Sequence, residues 1–176
     1  NDQLDIYRGA IIVTEVSTGK ILAMVSHPDF DPNTIPEIWD DLIDNDSSTV
    51  LLNRATQGLY PPGSTFKIIT STAALESHAV SQNDRFYCPG YKIVDDRRIR
   101  CHKISGHGSE SFVEGLMNSC NPVFIETGLR TGVQVMYQYF DRLGLMEKSG
   151  IDLPGEASSI MHQIDNVGDV ELATIS

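Results

Sequence analysis

Ser64 and Lys67 stand three residues apart in the stretch YPPGSTFK (60–67), behind two prolines and a glycine. On a helix, residues i and i+3 share a face, so the lysine amine would stand within reach of the serine hydroxyl. That hydroxyl is a poor nucleophile until a neighbour takes its proton. A lysine does so only where burial or another cation brings its pKa down towards neutrality. A helix start adds unpaired backbone N–H groups that stabilise an oxyanion. A pair activated in this way could carry acyl transfer through a serine ester. Spacing alone says little, because Ser17 and Lys20 repeat S-x-x-K in a segment that reads as a hairpin turn. A capping serine with a solvated lysine is the bland reading of either pair.

Ser119 and Asn121 add S-x-N within NSCN (118–121), just after a segment with helical character. This pair is also weak by itself, since Ser81 and Asn83 match it too. The ordered combination is more informative. S-x-x-K followed by a serine-x-asparagine pair and K-T-G marks class A β-lactamases and penicillin-binding proteins, and the chain carries the first two in that order.

A second set of reactive side chains surrounds the S-x-N pair. Cys88, Cys101 and Cys120 are odd in number and cannot all pair within one chain. Together with His107 they have the number and type of a closed tetrahedral Cys3His zinc site. Their spacing, Cys88-x12-Cys101-x5-His107-x12-Cys120, is that of neither a finger nor a ribbon. Buried free thiols are one alternative. A Cys88–Cys101 disulfide in an oxidising compartment is another.

The elements that must position these residues follow from periodicity and punctuation. GAIIVTEV (9–16), the turn STGK and ILAMVS (21–26) read as a β-hairpin. HPDFDPNTIP (27–36) reads as a loop, and Glu37 to Ser48 as a short helix or an ordered loop. Ser64 to Ser77 reads as a mostly buried helix, apolar at Phe66, Ile69, Ala73 and Leu75, with Ser64 at its N-terminal boundary. Cys88 to Ser105 is irregular, with a small hairpin around DDRRIR. Three helices follow: Phe112 to Met117 capped by Ser109, Pro122 to Arg130, and Val133 to Leu143 stopping at Gly144. GIDLPGEASS is turn-rich. Trp39 reads as packing, the acidic run Asp40 to Asp46 as a solvated face, and His27, His78 and His162 as surface or loop histidines.

The 176 residues suffice for one compact domain with a real core. The net charge of −11 argues against nucleic acid or an anionic membrane as the main partner. No apolar run is long enough to span a bilayer. The start before a strand pattern and the stop at ELATIS, without a closing element, read as the ends of a fragment.

TGKILAMVSHPDFDPN, LLNRATQGLYPPGSTFKI, SCNPVFIETG and GIDLPGE occur in the order in which similar segments occur in class B penicillin-binding proteins. The chain resembles the transpeptidase domain of that family, elongation or sporulation type, over nearly its whole length. The resemblance implies a mixed α/β (α+β) fold of the penicillin-binding protein/serine β-lactamase kind, an antiparallel sheet packed with helices. It implies that residues 1–176 are the N-terminal portion of that domain. The third motif, K-T-G, is absent, and a further segment or a second chain would carry its strand. The function implied is peptidoglycan D,D-transpeptidation of the D-Ala-D-Ala end of a stem peptide, inhibited by β-lactams. Ser64 is then the acylated nucleophile, Lys67 its base, Ser119 a proton relay and Asn121 a ligand of the substrate amide. Zinc at Cys101, His107, Cys120 and Cys88 follows from the same resemblance, with Asp95, Asp96 or His102 as substitutes for Cys88. An upstream anchor would hold the protein on the outer face of the bacterial cell membrane. A β-lactamase or a non-catalytic β-lactam sensor is the alternative, although no E-x-x-L-N segment is present to position a deacylating water. The fragment alone would be inactive.

Overall fold

In the computed structural model, which describes residues 8–44 and 49–175, the chain forms two compact units. One runs to Tyr60 and includes Gly150–Ser158; the other comprises Pro61–Ser149 and the segment from Ser159.

The first unit contains the expected hairpin. β1 (Gly9–Thr14) pairs antiparallel with β2 (Ile21–His27), and both strands leave apolar side chains such as Ile11 and Leu22 exposed. Helix α1 (Ile35–Asp44) begins two residues earlier than its sequence reading, because Pro36 occupies the first turn, where proline is tolerated. The remainder of the stretch read as helix or ordered loop, residues 45–48, lies outside the described residues. So do Asn45 and Asp46 of the acidic run, whose Asp40 and Asp41 are exposed. Trp39 is 47% exposed and not a packing residue. Buried Arg54 organises the following turn, its Nη1 donating to the Thr49 carbonyl at 3.1 Å.

The second unit holds every candidate site residue. A 3-10 turn (Gly63–Phe66) leads into α2 (Lys67–Glu76). β3 (Arg85–Cys88) pairs with β6 (Gly108–Ser111), and between them β4 (Tyr91–Val94) and β5 (Arg97–Arg100) form the hairpin expected around DDRRIR. Helices α3 (Phe112–Met117), α4 (Asn121–Thr131) and α5 (Val133–Arg142) follow. The cap of α3 is Ser111, not Ser109, which lies on β6. Ser111 Oγ accepts from the Glu114 N–H, and the Glu114 carboxylate accepts from the Ser111 N–H, a reciprocal capping box.

α4 is the pivot, touching α2, α3, α5, β3, β4 and β5. Phe112, Val123 and Phe124 are fully or almost fully buried and pack with Phe86, Ala74 and the three cysteines. A second cluster joins Ala73, Met136 and Phe140 to Leu172. Leu172 lies on α6 (Asp169–Ile175), a helix where the sequence reading finds no closing element. Glu171 accepts from the Gly168 N–H at its start, while Leu172 and Ala173 are buried. The fold is thus mixed, with three two-stranded antiparallel sheets and helices among the described residues.

Candidate active site

Ser64 lies in the 3-10 turn before α2, not in an α-helical first turn. The difference tightens the pair, because residues i and i+3 of a 3-10 turn eclipse one another. Lys67 Nζ stands 3.3 Å from Ser64 Oγ, and Ser64 itself is exposed. As a first-turn residue Ser64 has no intrahelical acceptor for its own N–H.

Lys67 is 3% exposed and lies against the Phe124 ring, its Nζ 5.4 Å from the centroid. Its nitrogen donates to the Asn121 Oδ1 at 2.7 Å and to the Ser119 carbonyl at 2.9 Å, and lies 3.1 Å from Ser119 Oγ. The Asn121 amide orientation is set at its other end, where Nδ2 donates to the Arg100 carbonyl at 2.9 Å. Two of the four contacts of Lys67 are therefore obligate acceptors, and two are hydroxyls that can donate or accept. A neutral amine meets both acceptors with its two N–H bonds and turns its lone pair to the hydroxyls. Burial lowers the Lys67 pKa from the ordinary 10.5, while the nearby Cys120 and Cys101 act in the opposite sense.

Ser119 and Asn121 come to this point through the α3–α4 junction. That junction is a helix-ending motif. The Ser119 N–H donates to the Leu116 carbonyl at 3.0 Å and the Cys120 N–H to the Gly115 carbonyl at 2.8 Å, the paired bonds of a Schellman turn. Ser119 occupies its left-handed position with φ +48°, where glycine is the usual residue. Cys120 follows as the extended N-cap of α4, and Asn121 is the first residue of that helix. Ser119 thus faces Lys67, while Cys120 is fully buried on the other side.

There Cys120 meets Cys88, Cys101 and His107. One ligand atom from each lies within 4.8 Å of the other three, and all three thiols are free. Asp95 and Asp96 occupy the β4–β5 turn outside this group, and His102, though 3.9 Å from Cys101 Sγ, is not part of it. Two glycines allow the convergence. A Cβ on Gly90 would lie 2.1 Å from the Ile104 carbonyl oxygen, and one on Gly106 would lie 2.3 Å from that of Cys88. The 101–107 loop can therefore lie directly on the end of β3. Burial, then a hydrogen bond with Glu110, raises the Cys120 thiol pKa. Glu110 is a site neighbour that sequence reasoning missed; a single acidic residue in the four-residue strand GSES carries no signal.

An open cleft of about 510 Å3 exposes Ser64, Lys67 and Asn121 along one wall. Apolar side chains, among them Ile99, Tyr137, Phe140 and Met161, line the rest. The family model for the penicillin binding protein transpeptidase domain matches residues 9–176. The chain belongs to this family.

Stage V sporulation protein D of Bacillus subtilis is 43% identical to this chain over 157 residues, 89% of the chain and 23% of the relative. Among solved structures, the D,D-transpeptidase domain of a peptidoglycan glycosyltransferase from Eggerthella lenta superposes with a TM-score of 0.89. It is 28% identical and is matched over 98% of this chain and 42% of its own. The imipenem acyl-enzyme complex of penicillin-binding protein A from M. tuberculosis gives a TM-score of 0.81 at 28% identity, over 96% of this chain and 40% of its own. The chain spans about a quarter of the length of its curated relative. In family terms, the structure brings the S-x-x-K and S-x-N residues together around one amine. Ser17, Lys20, Ser81 and Asn83, which repeat the two patterns, take no part in it.

Proposed function

We propose that this chain forms the nucleophile-bearing part of a bacterial peptidoglycan D,D-transpeptidase. Ser64 Oγ attacks the carbonyl between the two terminal D-alanines of a stem peptide, and its proton passes to Lys67 Nζ. The tetrahedral intermediate collapses to acyl-Ser64, and the departing D-alanine takes up a proton relayed through Ser119. An amine of a second stem peptide then attacks the ester, forming the cross-link and restoring the Ser64 hydroxyl. Asn121 holds the substrate amide. β-Lactams acylate the same oxygen; the M. tuberculosis relative forms an acyl-enzyme with imipenem.

The observation that carries this reading is the buried Lys67 amine, with two obligate acceptors and two serine hydroxyls around it. The K-T-G strand, with the second oxyanion N–H and the groups that hold the substrate carboxylate, belongs to further sequence or to a second chain. Residues 1–176 are accordingly the N-terminal portion of the catalytic domain, inactive alone. The parent works on the outer face of the cell membrane, held by an upstream segment; among the described residues no helix is long and apolar enough to cross a membrane. Similarity to a stage V sporulation protein supports the elongation or sporulation branch.

Zinc at Cys88, Cys101, His107 and Cys120 belongs to the same reading. Zn–S bonds of about 2.3 Å and Zn–N bonds of about 2.0 Å set tetrahedral ligand atoms roughly 3.5–3.8 Å apart. Cys101 Sγ and His107 Nδ1 lie 3.6 Å apart, so these residues fit the ion. With four protein ligands the centre is structural, and it tethers the S-x-N turn through Cys120.

Labelling of the full-length protein with a fluorescent penicillin tests the catalytic assignment. Ser64→Ala removes the covalent label, and Ser17→Ala retains it. Undiminished labelling of the Ser64 variant would end the assignment.

A further inference from the structure

Glu110 is a carboxylate in an apolar interior. It lies on β6 opposite Phe86, is 2% exposed, and faces the same cluster as Cys88 and Cys120. An ionisable group in such a place costs free energy unless it is paired. Its Oε2 accepts from Asn118 Nδ2 at 2.8 Å, and the carboxylate also faces the Cys120 thiol. Among the described residues, Oε1 is buried with no hydrogen bond of ordinary geometry. It lies 3.7 Å from His107 Nδ1, beyond hydrogen-bond length, and the carboxylate sits beside Cys120. A buried orphan of this kind points to a missing ion or water.

Its surroundings identify which. His107 Nδ1, 3.7 Å from Oε1, also stands at ligand spacing from Cys101 Sγ, so Oε1 borders the place where the four ligand atoms converge. The other oxygen holds the side chain of Asn118, the C-cap of α3 and the residue directly before Ser119. One carboxylate therefore touches both the metal cluster and the turn that delivers Ser119 to Lys67.

We propose that Glu110 is a positioning residue that faces the metal with one oxygen and anchors the Ser119 turn through Asn118 with the other. The inference rests on the metal reading above. Outside the four ligands, Glu110 adds negative charge close to the cation and fixes where the turn lies relative to it. Partners of this kind are worth about 10–100-fold in metal affinity.

The test uses the full-length protein and two readouts: zinc affinity by competition with a chromogenic chelator, and the rate of acylation by a fluorescent penicillin at saturating zinc. Glu110→Ala should weaken zinc about 10–100-fold and slow acylation even when zinc is saturating. Glu110→Gln loses the charge but keeps an oxygen for Asn118; it should weaken zinc comparably yet acylate faster than Glu110→Ala. Asn118→Ala should do the reverse, keeping zinc affinity while slowing acylation. The cobalt-substituted Glu110→Gln protein should keep the spectrum of the wild-type tetrahedral site. Wild-type zinc affinity in both Glu110 variants overturns the proposal while leaving the metal site standing. Should Glu110→Ala not fold, wild-type affinity in Glu110→Gln alone overturns it. A cobalt spectrum showing a lost ligand makes Glu110 a ligand and likewise refutes the positioning role. A wild-type protein that takes up no zinc refutes the metal reading itself.

Discussion

Ser119 occupies the left-handed position of a Schellman turn, at φ +48°, and this makes the order of two substitutions predictable. An L-residue in the left-handed region costs roughly 1–2 kcal/mol relative to right-handed backbone. Glycine is spared that cost but gives up about 0.5–1 kcal/mol more chain freedom on folding than alanine. Ser119→Gly and Ser119→Ala both delete the hydroxyl 3.1 Å from Lys67 Nζ, so this loss cancels between them. The remainder favours glycine by about 0.5–1 kcal/mol, the opposite of the order inside a helix, where alanine wins by a similar amount. For a chain of this size about 1 kcal/mol moves the melting temperature by 2–4 °C, so the glycine variant should melt roughly 1–4 °C above the alanine variant. Thermal unfolding followed by circular dichroism reads this directly. Penicillin acylation in the full-length protein should fall in both, since both lack the relay hydroxyl. An alanine variant as stable as the glycine variant would show that Ser119 is not held in the left-handed conformation, and the account of the turn would be wrong.

The acylation rate should rise with pH, with a midpoint below the ordinary lysine value of 10.5, because burial favours neutral Lys67. In stability the sign is set by the same shift. The unfolded chain binds the Lys67 proton more readily, so the penalty is full below the folded-state pKa and vanishes as pH climbs past 10.5. Lys67→Arg cannot lose its proton and should acylate very slowly at any pH in that range; a wild-type rate would assign the base to another group. Chelation by EDTA should lower the melting temperature, since an ion held at 100 times its Kd contributes about 2.7 kcal/mol. Cys120→Ser should lose both zinc, by elemental analysis, and acylation. No zinc in the native protein, with a Cys88–Cys101 disulfide by mass mapping, would replace the metal with a redox pair. Gly106→Ala, whose Cβ would lie 2.3 Å from the Cys88 carbonyl oxygen, should abolish tight zinc binding; unchanged affinity would refute the close loop contact.

Much of this protein is written in short stretches of its chain. The prolines of 61–62 stand at the start of the helical segment that carries Ser64, and three-residue spacing then delivers Lys67 to Ser64. The turns of the two hairpins, and helices α3 to α5, follow from interactions among residues within about four positions of each other. The reactive residues are legible for the same reason, since their types and order are local facts. What fails locally is also instructive. Ser109 reads as the cap of α3 although SFVE, from Ser111, spells a capping box, and α6 escapes the sequence reading because its short apolar face gains its meaning only against residues of α2, α4, α5 and β4. The site's chemistry belongs to the tertiary structure. Lys67 and Asn121 are 54 positions apart, and nothing near either one foretells the 2.7 Å bond between them. The left-handed turn at Ser119, the half-satisfied Glu110 and the convergence of Cys88 with Cys120 exist only once α3, α4 and the β3–β6 pair are packed. Burial of Lys67 is likewise a property of its assembled surroundings, because desolvation sums over every neighbour that displaces water, whatever its distance along the chain.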